Sequence, residues 1–141
     1  MVAVADGHLR NACGRLVGVG ADRFEPDREI TRAELCAVAS RVKSLADGNE
    51  SNFVDINDHW ARTDIEAMFK HGYISGYDEN GVPYFKPDKP INRGETVSMI
   101  NRVEERPEDY SGDRTFFDVP QTHWAYKWIM NAANGYYATG V

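Results

Sequence analysis

The 141 residues carry 42% hydrophobic and 27% charged side chains and a net charge of −6, the composition of one compact domain or a short repeat array rather than a disordered chain. The acidic balance, with a pI near 5.2, and the lack of a long Lys/Arg run argue against nucleic-acid binding, whose affinity rests on clustered cations. No stretch approaches the ~18 apolar residues of a membrane-spanning helix.

The opening Met1-Val-Ala-Val-Ala-Asp-Gly7 lacks the charged region and apolar run of a signal peptide, so an export signal is expected outside this sequence. Gly14-Arg-Leu-Val-Gly18 is the first of several segments that return. It matches Gly72-Tyr-Ile-Ser-Gly76 and, more loosely, Gly135-Tyr-Tyr-Ala-Thr-Gly140. Phe24-Glu-Pro-Asp-Arg-Glu-Ile-Thr-Arg-Ala-Glu34 returns as Phe85-Lys-Pro-Asp-Lys-Pro-Ile-Asn-Arg-Gly-Glu95, a step of 61 positions. Thr31 and Glu34 have the spacing of a capping box, in which each side chain accepts from the other residue's backbone amide. A helix should start there and run to about Leu45, with Ala33, Cys36 and Ala39 to Val42 as its apolar face. Cys13 and Cys36 read either as two free thiols or as a bridge between packed helices in an oxidising compartment.

Phe53-Val-Asp55 followed by His59-Trp-Ala61 begins a second helix, with Asn57 or Asp58 as the expected cap and Gly72 as a left-handed terminator. Trp60, Ile65, Met68 and Phe69 form its apolar stripe. Residues 73–88 are rich in turn formers and suit no more than a short extended stretch. Asn92 and Glu95 repeat the capping box for a third helix, reaching about Glu104 with Val97, Ile100 and Val103 inside. Phe116-Phe-Asp118 and His123-Trp-Ala125 then return the second block, with Thr122 as cap and Trp124, Trp128, Ile129 and Ala132 as the stripe. The expected fold is mainly α, tandem helix-loop-helix repeats packed in a pseudo-symmetric helical assembly, because one such unit cannot bury both helices alone. The repeats divide the chain into 9–46, the C-terminal part of a first unit, 53–106, a complete unit, and 116–141, the N-terminal part of a further one.

Within each capping box the cap residues have backbone tasks, and Arg32 and Arg93 stand apart. A cation in the first helical turn opposes the helix macrodipole. A bound carboxylate or phosphate would compensate, held by the guanidinium and the helix-start amides. An intramolecular Asp55, Asp88 or Asp118 would compensate as well. No metal-ligand spacing surrounds His59 or His123, and no nucleophile elbow, phosphate loop or EF-hand spacing occurs, so no cofactor and no catalysis are expected.

These pieces, in this order and at these spacings, resemble the S-layer homology domain from about Leu9 onward. The resemblance implies a noncatalytic, exported anchoring module of the bacterial cell wall or S-layer. Its partner would be an anionic, pyruvylated secondary cell-wall polymer, held in grooves between repeats. It implies ligand roles for Arg32 and Arg93, places Gly76 and Tyr77 beside a groove, and lets Trp60 or Trp124 offer a face to a sugar, although an aromatic on an apolar stripe also suits a core. Asp55 and Asp118 are expected to cap or orient the helix start, beside the structural Thr31, Glu34, Asn92 and Glu95. The alternative is a self-association or scaffold module whose half repeats are completed by another chain.

Overall fold

The computed structural model describes residues 3–5, 8–10, 25–46, 48, 51–108, 110 and 112–135. Cys13, Phe24 and the Gly135–Gly140 segment beyond its first residue lie outside them. The described secondary structure is mainly helical. In chain order it runs β1 (Ala3–Ala5), β2 (His8–Arg10), α1 (Arg32–Val42), α2 (Arg62–Lys70), β3 (Tyr77–Glu79), β4 (Val82–Tyr84), α3 (Arg93–Val103), α4 (Tyr126–Met130) and a π-helical turn (Asn131–Gly135). Contacts divide the chain into two packing units, 1–90 and 91–141. The division falls at Pro90, so the packing units run out of phase with the sequence repeats: the first joins α1 of one repeat to α2 and the hairpin of the next.

In the first unit, β1 and β2 pair antiparallel, Ala3 opposite Arg10. Helix α1 starts where the capping box places it. Thr31 Oγ1 accepts from Glu34 N at 3.2 Å, and the Glu34 carboxylate accepts from Thr31 N at 2.8 Å. Its buried face is Ala33, Cys36, Ala37 and Ser40, one stripe at i, i+3, i+4 and i+7. Val42 falls off that stripe and is 74% exposed, contrary to the apolar face read from the sequence. The helix ends at Val42 rather than Leu45 because Ser44 turns left-handed at φ 51°.

Helix α2 packs on α1, and its Ile65, Ala67 and Met68 are essentially inaccessible to solvent. Asn57 and Asp58 do not cap it. Its N-cap is Ala61, which has no side-chain cap, and His59 Nδ1 instead accepts from Ala61 N at 3.1 Å. The imidazole reaches that amide from two residues upstream, so the flanking polar residues are not needed. Gly72 at φ +73° follows the helix as the expected left-handed residue.

Strands β3 and β4 form a hairpin with Tyr77 opposite Tyr84. Asn80 and Gly81 close it, both at positive φ, 56° and 83°, the backbone of a type I′ turn. Asp78 Oδ1 steadies the turn by accepting from Gly81 N at 2.9 Å. Below the hairpin, Phe85 is fully buried beside Phe53, whose ring also meets Phe69 edge-on; burial of one such ring contributes about 2–3 kcal/mol.

In the second unit, Asn92 and Glu95 form the same capping box on α3. Its buried face is Ser98, Met99, Asn101 and Val103. Ile100 points outward and is 44% exposed, another departure from the expected stripe. Asn101 is buried in place of an apolar side chain because its amide is satisfied, donating to Trp128 O at 2.8 Å and accepting from Arg106 at 3.0 Å. Helix α4 packs on α3. Thr122 does not cap it; His123 Nδ1 accepts from Ala125 N at 3.2 Å, as His59 does for α2. No described helix is long and apolar enough to cross a membrane.

Candidate functional site

Arg32 has a local task that its sequence position does not disclose. As the first residue of α1 it is only 5% exposed. Its Nε donates to Phe85 O at 2.9 Å and its Nη2 to Ser75 O at 3.2 Å. The guanidinium lies 4.6 Å from the Phe85 ring centroid and 4.9 Å from that of Tyr77, an arrangement in which cation–π attraction supplements the hydrogen bonds. Its described partners in these contacts are carbonyls and rings, not the carboxylates of Asp55, Asp88 or Asp118.

The first amides of α1 are also occupied. Arg32 N donates to Lys89 O at 3.0 Å and Ala33 N to Pro87 O at 2.9 Å. A turn of chain thus sits where an anion could have sat, its carbonyls taking the donors. Asp55 holds the same turn from another side, accepting from Phe85 N at 2.9 Å and Lys86 N at 2.7 Å. It orients the turn after the hairpin rather than a helix start, because that turn's amides face it. Lys86 has a left-handed backbone, φ 58°, which costs a non-glycine residue about 1–2 kcal/mol and which the Asp55 bonds offset.

His59 joins the turn as well. Because its Nδ1 accepts from an amide, the ring proton of the neutral imidazole sits on Nε2, which donates to Asp88 Oδ1 at 3.0 Å. Residues 85–89 are therefore fixed by Asp55, Arg32, His59 and the start of α1.

Held this way, the turn gathers cations around one ring. The Lys86 and Lys89 ammonium groups each lie 4.9 Å from the Tyr77 centroid, and Lys89 Nζ donates to Tyr77 Oη at 2.9 Å. Lys86 also pairs with Glu79. Tyr77 is half-buried, while Lys89, Ser75 and Gly76 are exposed. In a chain of net charge −6 this is a local concentration of positive charge, suited to an anion with an apolar or sugar-like neighbour. Tyr77 and Arg32 stand out in the sequence, whereas the only trace of Lys86 and Lys89 there is two lysines flanking Pro87-Asp88.

Gly76 packs close to its neighbours. A Cβ there would meet Tyr84 O at 2.5 Å and clash with the Phe53 ring. Trp60 is half-buried and tilted against His59 at 5.4 Å. Arg93 and Trp124 belong to the second unit, where Arg93 is exposed and Trp124 is 60% exposed. Trp124 lies against the start of α3, since a Cβ on Gly94 would be 3.5 Å from its Cζ2. Asp118 is exposed. Cys36 is a buried free thiol, its pKa pushed up to about 12 chiefly by burial. No cluster of three His, Cys, Asp or Glu side chains suited to a metal ion occurs among the described residues.

Residues 52–97 match the family model of the S-layer homology domain. This chain carries an S-layer homology domain. The matched span contains Asp55, His59, Tyr77 and the whole 85–89 turn. The chain is 37% identical over 110 residues to a cellulosome-anchoring protein of Acetivibrio thermocellus, covering 74% of this chain and 24% of that protein. It is 36% identical over 132 residues to cell surface glycoprotein 1 of the same organism, covering 85% of this chain and 6% of that one. It is also 30% identical over 95 residues to the surface-layer 125 kDa protein of Lysinibacillus sphaericus, covering 65% and 8%. This chain thus spans at most about a quarter of the length of these relatives.

Proposed function

We propose that this chain is a noncatalytic anchoring module, outside the cell, that holds its parent protein to the bacterial wall by binding an anionic secondary cell-wall polysaccharide. The observation that carries this reading is the Tyr77 cluster, three cations around one ring, of which Tyr77, Lys86 and Lys89 lie within the span matching the S-layer homology family. A carboxylate such as that of a pyruvyl ketal would pair with the Lys86 and Lys89 ammonium groups. Its sugar would lie along exposed Ser75 and Gly76 beside the Tyr77 ring. Buried Arg32 then acts as the positively charged floor that fixes Tyr77 and Phe85, while Arg93 and the exposed face of Trp124 offer further contacts in the second unit. Two relatives are named as an anchoring protein and a surface-layer protein, which supports the same assignment. Relatives also named as enzymes, among them an amylopullulanase, fit a module that accompanies various cargoes.

The polymer and the chain are both anionic, so attraction is local and short-ranged. Co-sedimentation with purified wall sacculi tests the reading. Lys86→Ala with Lys89→Ala should reduce pelleting about tenfold or more, as expected from loss of charge-assisted bonds, and removal of pyruvyl groups from the polymer should do the same. Unchanged pelleting of the folded double variant would overturn the assignment of the site.

A further inference from the structure

The Tyr77 cluster already contains a carboxylate. Tyr77 and Glu79 stand two residues apart on β3 and so share one face of the hairpin. Lys86, which follows β4, spans both: its ammonium lies 4.9 Å from the Tyr77 centroid and pairs with Glu79 Oε1. The backbone fixes where that ammonium starts from, because Lys86 is left-handed at φ 58° and its amide donates to Asp55 at 2.7 Å.

The other acids around the turn have separate tasks. Asp55 accepts from two amides, Asp78 from Gly81 N, and Asp88 from His59. Among the described contacts Glu79 pairs with Lys86 alone. Its side chain is 48% exposed and that of Lys86 38%, and a pair so far in water shifts an equilibrium by about fivefold or less. The other copy of the repeat has Glu25 in the place of Lys86. Its linking segment is also shorter than the β3–β4 hairpin, six positions from Gly18 to Phe24 against nine from Gly76 to Phe85. Acid and base thus occur together in one copy.

We propose that Glu79 is an internal stand-in for the ligand: it occupies Lys86 in the empty site, and a carboxylate of the wall glycan binds by displacing it. The inference rests on the anionic-glycan reading of the Tyr77 cluster. Displacement opposes binding in two ways, since the pair is opened and the released Glu79 stays beside a group of like charge. An isolated small carboxylate gains too little to displace Glu79, whereas a sugar carrying one also gains the Tyr77 ring. Glu79 therefore lowers affinity and sharpens selection.

Binding isotherms on purified wall sacculi, read by co-sedimentation of the whole chain at low salt, test this. Glu79→Gln should tighten binding about threefold to tenfold. In a Lys86→Ala background the gain should fall below about twofold, because both changes act on one ammonium. Equal isotherms of wild type and Glu79→Gln, with the Lys86→Ala, Lys89→Ala double variant still weaker than both, overturn the role of Glu79 and leave the glycan reading standing. A gain of the same size without Lys86 assigns the effect to general charge and also overturns the exchange. Failure of the wild type to pellet overturns both readings. Should melting show Glu79→Gln to be unfolded, Glu79→Thr, which suits a strand, takes its place.

Discussion

Replacing Asp55 by Ala removes the acceptor of two backbone amides, Phe85 N at 2.9 Å and Lys86 N at 2.7 Å. Each hydrogen bond to a carboxylate contributes about 1.5–3 kcal/mol. Asp55 is half-buried, so water replaces part of the loss. The turn must also keep Lys86 left-handed without support, against a cost of about 1–2 kcal/mol. The expected destabilisation is about 3 kcal/mol, a large share of the 5–15 kcal/mol that holds a domain folded. Asp118→Ala is the internal control: the same motif residue, exposed, should cost less than about 0.5 kcal/mol in dilute protein. Urea unfolding followed by circular dichroism reads both. Equal effects of the two substitutions, or a loss below about 1 kcal/mol for Asp55→Ala, would refute the account of Asp55 as the clamp of the turn.

Gly76→Ala should destabilise by about 1–3 kcal/mol, since its Cβ meets a backbone oxygen that cannot yield easily; thermal melting checks this. His59→Ala should cost about 1 kcal/mol, the value of a lost helix cap, and His123→Ala should cost the same for the α4 start; paired urea titrations compare them. Cys36 should resist thiol reagents at pH 8 until the protein unfolds, because burial pushes its thiol up to about 12. Above the ordinary thiol value of 9.0 the unfolded chain ionises while the folded one stays protonated. The unfolded state then binds fewer protons, so this group lowers stability as pH rises from 9.0 toward about 12. A Cys36→Ser variant with the same pH slope would refute that.

Both capping boxes were legible because their parts lie three residues apart and need no tertiary information. Gly72 was legible for a similar reason, as glycine tolerates positive φ. Ser44 and Glu105 end their helices in the same conformation, φ 51° and 52°, without a residue type that announces it, so the ends near Leu45 and Glu104 were drawn from the breakers beyond them, Asp47-Gly48 and Pro107. Arg32 stood out as unusual at a helix start, but it donates to carbonyls 43 and 53 positions away. Carbonyls occur at every residue and leave no trace in a sequence. The histidine caps were hidden by a plausible local alternative, Asn57, Asp58 or Thr122. The doubled His-Trp-Ala held the clue. The lysines around Tyr77 converge only once the hairpin and the left-handed Lys86 bend the chain back.

The offset between packing units and sequence repeats limits how such a chain can be cut or lengthened. A cassette excised at the repeat boundary near residue 52 would leave α1 without α2, and α2 without the helix it packs against. A fragment ending near Pro90 would keep both partners together. Duplication of the sequence period therefore adds folded material only in company: each new copy finishes the half before it and opens one after it, as links are added to a chain.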